Sequence, residues 1–361
     1  MSPARKHALV TACLAAGLVL AGHLVAALPV RHLGYDATAY VAMAEGHGAQ
    51  VQEPFKFRVL VPWLASWLPL DAPDALRAIT YVSLFGAYLL SIHAGTLVGL
   101  SIAASAFGLL SVWGSTWHLY YFYNPYMTDG AGLLALSAMV TAMLNGDFAL
   151  FAIAAIAGVL ARESTLALVP AWLVTKQVGR TLSLITVVVL AAWLPRYLLA
   201  TEGLSIIPVN PTEIPQVGAL VWVRQLYAIW GFVWLIGIGG FAYLPSTHAP
   251  KVAAIFAAIF LGAAAASTVA TDTGRMFSFL APVLAIGCGQ LYDVLARTNR
   301  KLAWALVAMI TMQAVFNAPA VMFDANAWIV GWPRRLFLAA ELALGGFILT
   351  TLVARGQRRG Q

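Results

Sequence analysis

Apolar stretches of about 20 residues recur from one end of this chain to the other, and each can cross a hydrocarbon core of roughly 30 Å. With 61% hydrophobic and only 10% charged residues among 361, the chain cannot clothe an ordinary water-facing surface. A soluble domain needs about 25% charged residues for that. Inside lipid, every backbone N–H and C=O must find its partner within the protein, which leaves helices or a closed barrel. A barrel would show short strands of alternating polarity, and the runs here are continuous. The expected fold is therefore all-α: a polytopic transmembrane helical bundle forming one domain over residues 1–361.

Hydropathy places spans near 8–30, 76–99, 102–122, 128–144, 148–161, 164–176, 181–200, 218–243, 251–270, 276–294, 301–319 and 335–354, about twelve in all, including a short helix pair. Charge decides how 148–176 is read. Two short passes put Arg5, Lys6, Lys176, Arg180, Lys251, Arg297, Arg300, Lys301, Arg355, Arg358 and Arg359 on one side, as the positive-inside rule requires. A single pass would send Arg297–Lys301 and the basic tail outward. It would also bury Arg162 mid-helix, at about 2.5–3.5 kcal/mol on insertion scales. Both termini are then cytoplasmic in a multi-pass protein of the bacterial inner (plasma) membrane. The run Ala8–Val30 exceeds the roughly 7–15 residues of a cleaved signal core, so it is expected to stay as the first span.

The net charge of +7 does not imply nucleic acid, because many basic residues flank membrane segments rather than forming a polar module. Cys13 and Cys288 lie in apolar runs and carry no disulfide or metal pattern. The first outer loop, 31–75, contains a short helix near 57–70 whose Trp63 and Trp67 favour the outer membrane interface.

In this topology Asp147 and Asp293 are the acidic residues of the inner face, and the outer side collects acid and arginine together. Arginine there suits forked binding of phosphate or carboxylate. Four places carry it. GYDATAYVAMA offers Asp36, with Tyr35 and Tyr40 nearby, as a general base or a helix cap. PFKFRVLVPWL offers Lys56 and Arg58 to a phosphate or to lipid headgroups. NPYMTDGAG places Asp129 at the start of a span. ARESTLALVP and TDTGRMFSFLAP bring Arg162, Glu163, Asp272 and Arg275 to outer helix ends, where Arg162 pairs with Glu163 or Asp272 with Arg275, or all line a cavity. Arg224 and Gln225 are further candidates to line it. No Walker loop, HExxH or GxSxG occurs, and no histidine pair has metal-binding spacing.

Taken in order, GYDATAY, EPFKFRVLVPWLA, NPYMTDGAGLL, ARESTLALVP and DTGRMFSFLAP resemble bacterial GT-C-type membrane glycosyltransferases, over roughly residues 30–285. The resemblance implies a GT-C-like bundle and a sugar donor linked to polyprenyl phosphate. It implies a catalytic acid in the first outer loop, which maps onto Asp36, and a second near the next outer loop, which maps onto Asp129. Asp36 stands between Tyr35 and Ala37, where the family often has paired acids. The implied reaction is inverting transfer to a lipid or glycan acceptor hydroxyl on the extracytoplasmic face. Arg58, Arg162 and Arg275 would stabilise the leaving phosphate, with Asp129 positioning the acceptor or sharing a divalent ion with Asp36. The competing classes are a transporter or lipid flippase, and a non-catalytic relative on the same scaffold.

Overall fold

In a computed structural model of the chain, residues 2–26, 35–53, 55–199, 219–266, 273–322, 340, 343–348 and 350 are described. Among them the regular structure is helical, with no strand. Five helices are long and apolar enough to cross a membrane: Arg5–Val25, Ala72–Leu97, Val178–Leu199, Ala249–Ala266 and Arg275–Thr298. A sixth is reached if the bent pair Val221–Trp230 and Val233–Phe241 counts as one span, and three shorter apolar helices accompany them. These helices mark the chain as a membrane-embedded helical bundle. Residues 201–217 and 323–334, and most of the expected span at 335–354, lie outside the described residues.

The helices begin and end where side chains can satisfy their free backbone groups. α1 covers Pro3–Ala26, and α2 covers Tyr35–Ala44 with Asp36 in its first turn. A 3₁₀ turn, Phe55–Phe57, leads into α3, Leu60–Ser66. α4, Ala72–Leu97, starts at Asp71, whose carboxylate accepts from the Asp74 N–H, with proline in the first helical positions. α5, Ile102–Trp113, is capped in the same way by Ser101. α6, Thr116–Tyr123, is separated from α5 by Gly114 and the cap Ser115, so the apolar run 102–122 is two helices rather than one.

α7, Asp129–Asn145, ends at Gly146, whose φ of 78° is the left-handed conformation glycine adopts freely. The next residue, Asp147, caps α8, Phe148–Ala161, so α7 and α8 form a tight hairpin. α8 stops at Arg162, whose backbone is extended, and a 3₁₀ helix with Pro170 inside it runs over Glu163–Thr175. The segment 148–176 is therefore two helices. They pack closely where they meet, since a Cβ on Gly158 would lie 2.8 Å from the Thr165 hydroxyl.

α9 is Val178–Leu199, followed by α10, Ala219–Trp230, and α11, Val233–Phe241. The last two are bent by 98° across Gly231, which has a positive φ. α12, Ala249–Ala266, packs along the 163–175 helix. α13, Thr273–Phe277, runs through a 3₁₀ turn into α14, Ala281–Thr298, and α15 is Arg300–Met322.

α4, α5, α7 and α14 form the centre of the bundle, with α8 packed on α7 and α11 on α14. Backbones approach closely there: a Cβ on Gly108 would lie 2.0 Å from the Ala285 carbonyl oxygen, and one on Gly240 would lie 1.9 Å from that of Gly287. Glycine lets these helices meet at backbone contact distance, as small residues do in membrane bundles. α1 and α9 lie outside, only 11% and 17% buried over their apolar windows against 72% for the span Arg275–Thr298. A second, smaller core joins α2, α3 and the start of α4 through Ala37, Tyr40, Val61, Ala65 and Leu76. It holds α2 and α3 against the bundle. Trp63 and Trp67, 4.2 Å apart, stay exposed on the far side of α3.

Candidate functional site

Six of the ionisable residues singled out in the sequence meet at one end of the bundle, where α2, α3, α7, α13 and the break after α8 come together. Asp129 begins α7 and is 1% exposed. A bare carboxylate at such depth is costly, and it survives only if paired and hydrogen-bonded. Arg275 of α13 supplies a two-pronged bond. Its Nε donates to Oδ1 at 2.8 Å and its Nη2 to Oδ2. The remaining arm, Nη1, donates to Asp36 Oδ2 at 2.6 Å. One guanidinium therefore bridges two carboxylates from opposite parts of the chain.

Asp129 has a second cation. Arg162 Nη1 lies 2.7 Å from Oδ1. This contact is an ion pair without hydrogen-bond alignment, so Nε and Nη1 of Arg162 are buried with no hydrogen-bond acceptor. Arg162 also stacks its guanidinium over Phe279, 5.6 Å from the ring centre. Thr128, just before Asp129, and Ser164, two residues after Arg162, likewise keep buried hydroxyls without a partner.

The extended backbone at Arg162 sends successive side chains in opposite directions. Arg162 turns to Asp129, and Glu163 faces the turn that precedes α3. There Arg58 grips Glu163 with Nε at 2.9 Å and Nη2 at 2.6 Å, and its Nη1 donates to the Tyr40 hydroxyl at 2.7 Å. Burial opposes the charge on Arg58, but Glu163 and Tyr40 outweigh it and hold its pKa well above the ordinary arginine value. Access differs sharply across the group. The side chains of Asp36 and Glu163 are 24% and 32% exposed, whereas those of Asp129 and Arg162 are sealed. A reagent from outside meets Asp36 before Asp129.

Several sequence expectations change. Arg162 does not pair with Glu163; each reaches across to a different element. Arg275 pairs with Asp129 and Asp36, while Asp272 lies outside the described residues. Lys56 is buried and bound to Glu53 at 3.0 Å. Arg224 is exposed on α10 and, among the described residues, is not part of this group. The idea that Asp36 and Asp129 share a metal meets a chemical objection: the Arg275 guanidinium already bridges the two carboxylates, and with Arg162 it balances their charge. No group of three or more His, Cys, Asp or Glu able to hold a metal occurs among the described residues.

Sequence reasoning noted Tyr40 beside Asp36 but not its bond to Arg58. It also passed over Arg196, which lies over the Phe57 ring at 4.9 Å and bonds the Ala192 carbonyl at 2.7 Å. Tyr121 also reaches this group. Its hydroxyl bonds Ser278 at 2.7 Å, and Ser278 in turn donates to the Arg275 carbonyl. Helical spacing is the available signal for Tyr40, four residues after Asp36. No such spacing marks the other two.

Comparison with protein-family models, curated proteins and solved structures gives no match for this chain.

Proposed function

We propose that the chain is a GT-C-like membrane glycosyltransferase of about twelve spans. It moves a sugar from a polyprenyl-phosphate donor to a lipid or glycan hydroxyl on the extracytoplasmic face of the inner membrane, with inversion. The observation that carries the reading is the Arg275 bridge. It joins a reachable carboxylate, Asp36, to a sealed one, Asp129, in a group that also holds two further arginines. All five of the sequence stretches behind the GT-C resemblance contribute to this one group.

In the proposed reaction Asp36 takes the proton of the acceptor hydroxyl. The acceptor oxygen bonds to the anomeric carbon as that carbon's bond to the phosphate oxygen breaks, and the electron pair leaves with polyprenyl phosphate. A single displacement inverts the anomeric centre. The departing phosphate is stable without a proton and needs positive charge rather than an acid. Arg162 is sealed beside Asp129, so it favours that charge through space rather than by contact, and two of its nitrogens have no hydrogen-bond acceptor to offset it. Arg275 and Arg58 are engaged by carboxylates and serve to hold the group together. Asp129, being sealed, orients Arg162 and Arg275 rather than touching substrate. No step is routed through a metal.

The test is transfer by the purified full chain in liposomes supplied with polyprenyl-phosphate sugars and a panel of lipid and glycan acceptors. New glycolipid or glycan formed by the wild type supports the reading; none with any pair defeats it. The 98° break between α10 and α11 favours a second reading as a transporter, since broken helices line substrate paths in that class. Solute or lipid flux in the same liposomes without sugar transfer would select it.

A further inference from the structure

The ion pairs close into a circuit. From α2, Asp36 leads to Arg275, Asp129 and Arg162; the chain passes to Glu163, then Arg58, then Tyr40, and so back to α2. Two elements are touched twice. The break after α8 supplies Arg162 and Glu163, and α2 supplies Asp36 and Tyr40, which fall on one helix face one turn apart. α2 is only 10 residues long. A helix that short is marginal alone, so its orientation comes from what grips it. The Asp36 bond and the small apolar core around Ala37 seat α2, but apolar packing is non-directional and leaves its exact rotation to be set. Held also through Tyr40, its rotation is fixed.

We infer that Tyr40 is a positioning residue for Asp36: its hydroxyl, bound by the Arg58 that Glu163 clamps, sets the rotation of α2 and so the aim of the Asp36 carboxylate. The hydroxyl matters here beyond the ring. The Tyr40 ring is buried and packs edge-on against Phe55 at 5.9 Å, a contact phenylalanine would keep. Arg58, expected from sequence to hold phosphate, and Glu163, expected beside Arg162, are in this arrangement the parts that hold Tyr40. The catalytic meaning rests on Asp36 being the base; the positional claim stands without it.

The experiment uses full-length protein in liposomes, as wild type, Tyr40→Phe and Glu163→Gln. Each is treated with a water-soluble carbodiimide and an amine, and modified carboxylates are mapped by mass spectrometry. Glu45 and Asp74, with side chains 50% and 52% exposed, serve as internal references. Asp36 modification is expected to rise about tenfold in both variants, as its bond to Arg275 is made less often, while the references hold steady. Transfer is expected to lose about tenfold in kcat with donor KM little changed, the mark of a misaimed base rather than a lost binding contact. Asp36 modified at the wild-type rate in both variants would overturn the inference. Absence of transfer by the wild type would instead overturn the transferase reading and leave the labelling result to decide on Tyr40. Glu163→Gln keeps the question open to test should Tyr40→Phe fold poorly.

Discussion

Arg275 and Asp36 stand 239 positions apart in the chain, and their side chains meet at 2.6 Å. The same guanidinium grips Asp129, so α2, α7 and α13 share one charged joint. The two carboxylates it joins differ in burial, and that difference separates a group able to react from a group that supports.

Replacing Asp129 should therefore damage the fold. Asp129→Asn leaves Arg162 and Arg275 buried with too little negative charge, and breaking a buried pair costs about 3–5 kcal/mol. Thermal unfolding in detergent is expected to show a marked loss of stability. An unchanged midpoint would mean that the two arginines find other partners.

Arg58 and Glu163 should show strong coupling. Single reversals, Arg58→Glu or Glu163→Arg, each oppose like charges near the other ion pairs. The double reversal restores an attractive pair, though without the forked geometry. A double-mutant cycle on stability is expected to give a coupling of about 1–3 kcal/mol. Additive losses would contradict the observed clamp.

Gly108 tests the packing of the bundle centre. Because its Cβ would fall 2.0 Å from the Ala285 carbonyl oxygen, Gly108→Ala has to push α5 away from α14. The expected loss is about 1–3 kcal/mol by overpacking, read as a lower unfolding midpoint. Gly17→Ala on α1, where nothing lies within 4 Å, is the neutral control.

Much of the charged group was legible because charge is scarce. In a chain with 10% charged residues, ionisable groups at helix ends stand out as costly and therefore paired. Asp36, Arg58, Asp129, Arg162, Glu163 and Arg275 were all found this way. Their pairing was not legible. Adjacency pointed to Arg162 with Glu163, but the extended backbone at Arg162 throws the two apart, and one residue's φ and ψ cannot be read from hydropathy. Arg224 looked equivalent by composition, yet it faces outward on α10. The helix breaks at Gly114–Ser115 and Gly231 were also invisible, since a hydropathy window runs across a kink without a change in its mean.

The most direct measurement of the central claim is single-turnover transfer by reconstituted Asp36→Asn beside wild type, with unfolding midpoints recorded for both. Asparagine keeps the shape and can still face Arg275, but it cannot accept the proton. The account expects a folded protein that binds donor and has lost transfer by at least about a hundredfold. Transfer at the wild-type rate by folded Asp36→Asn would contradict it.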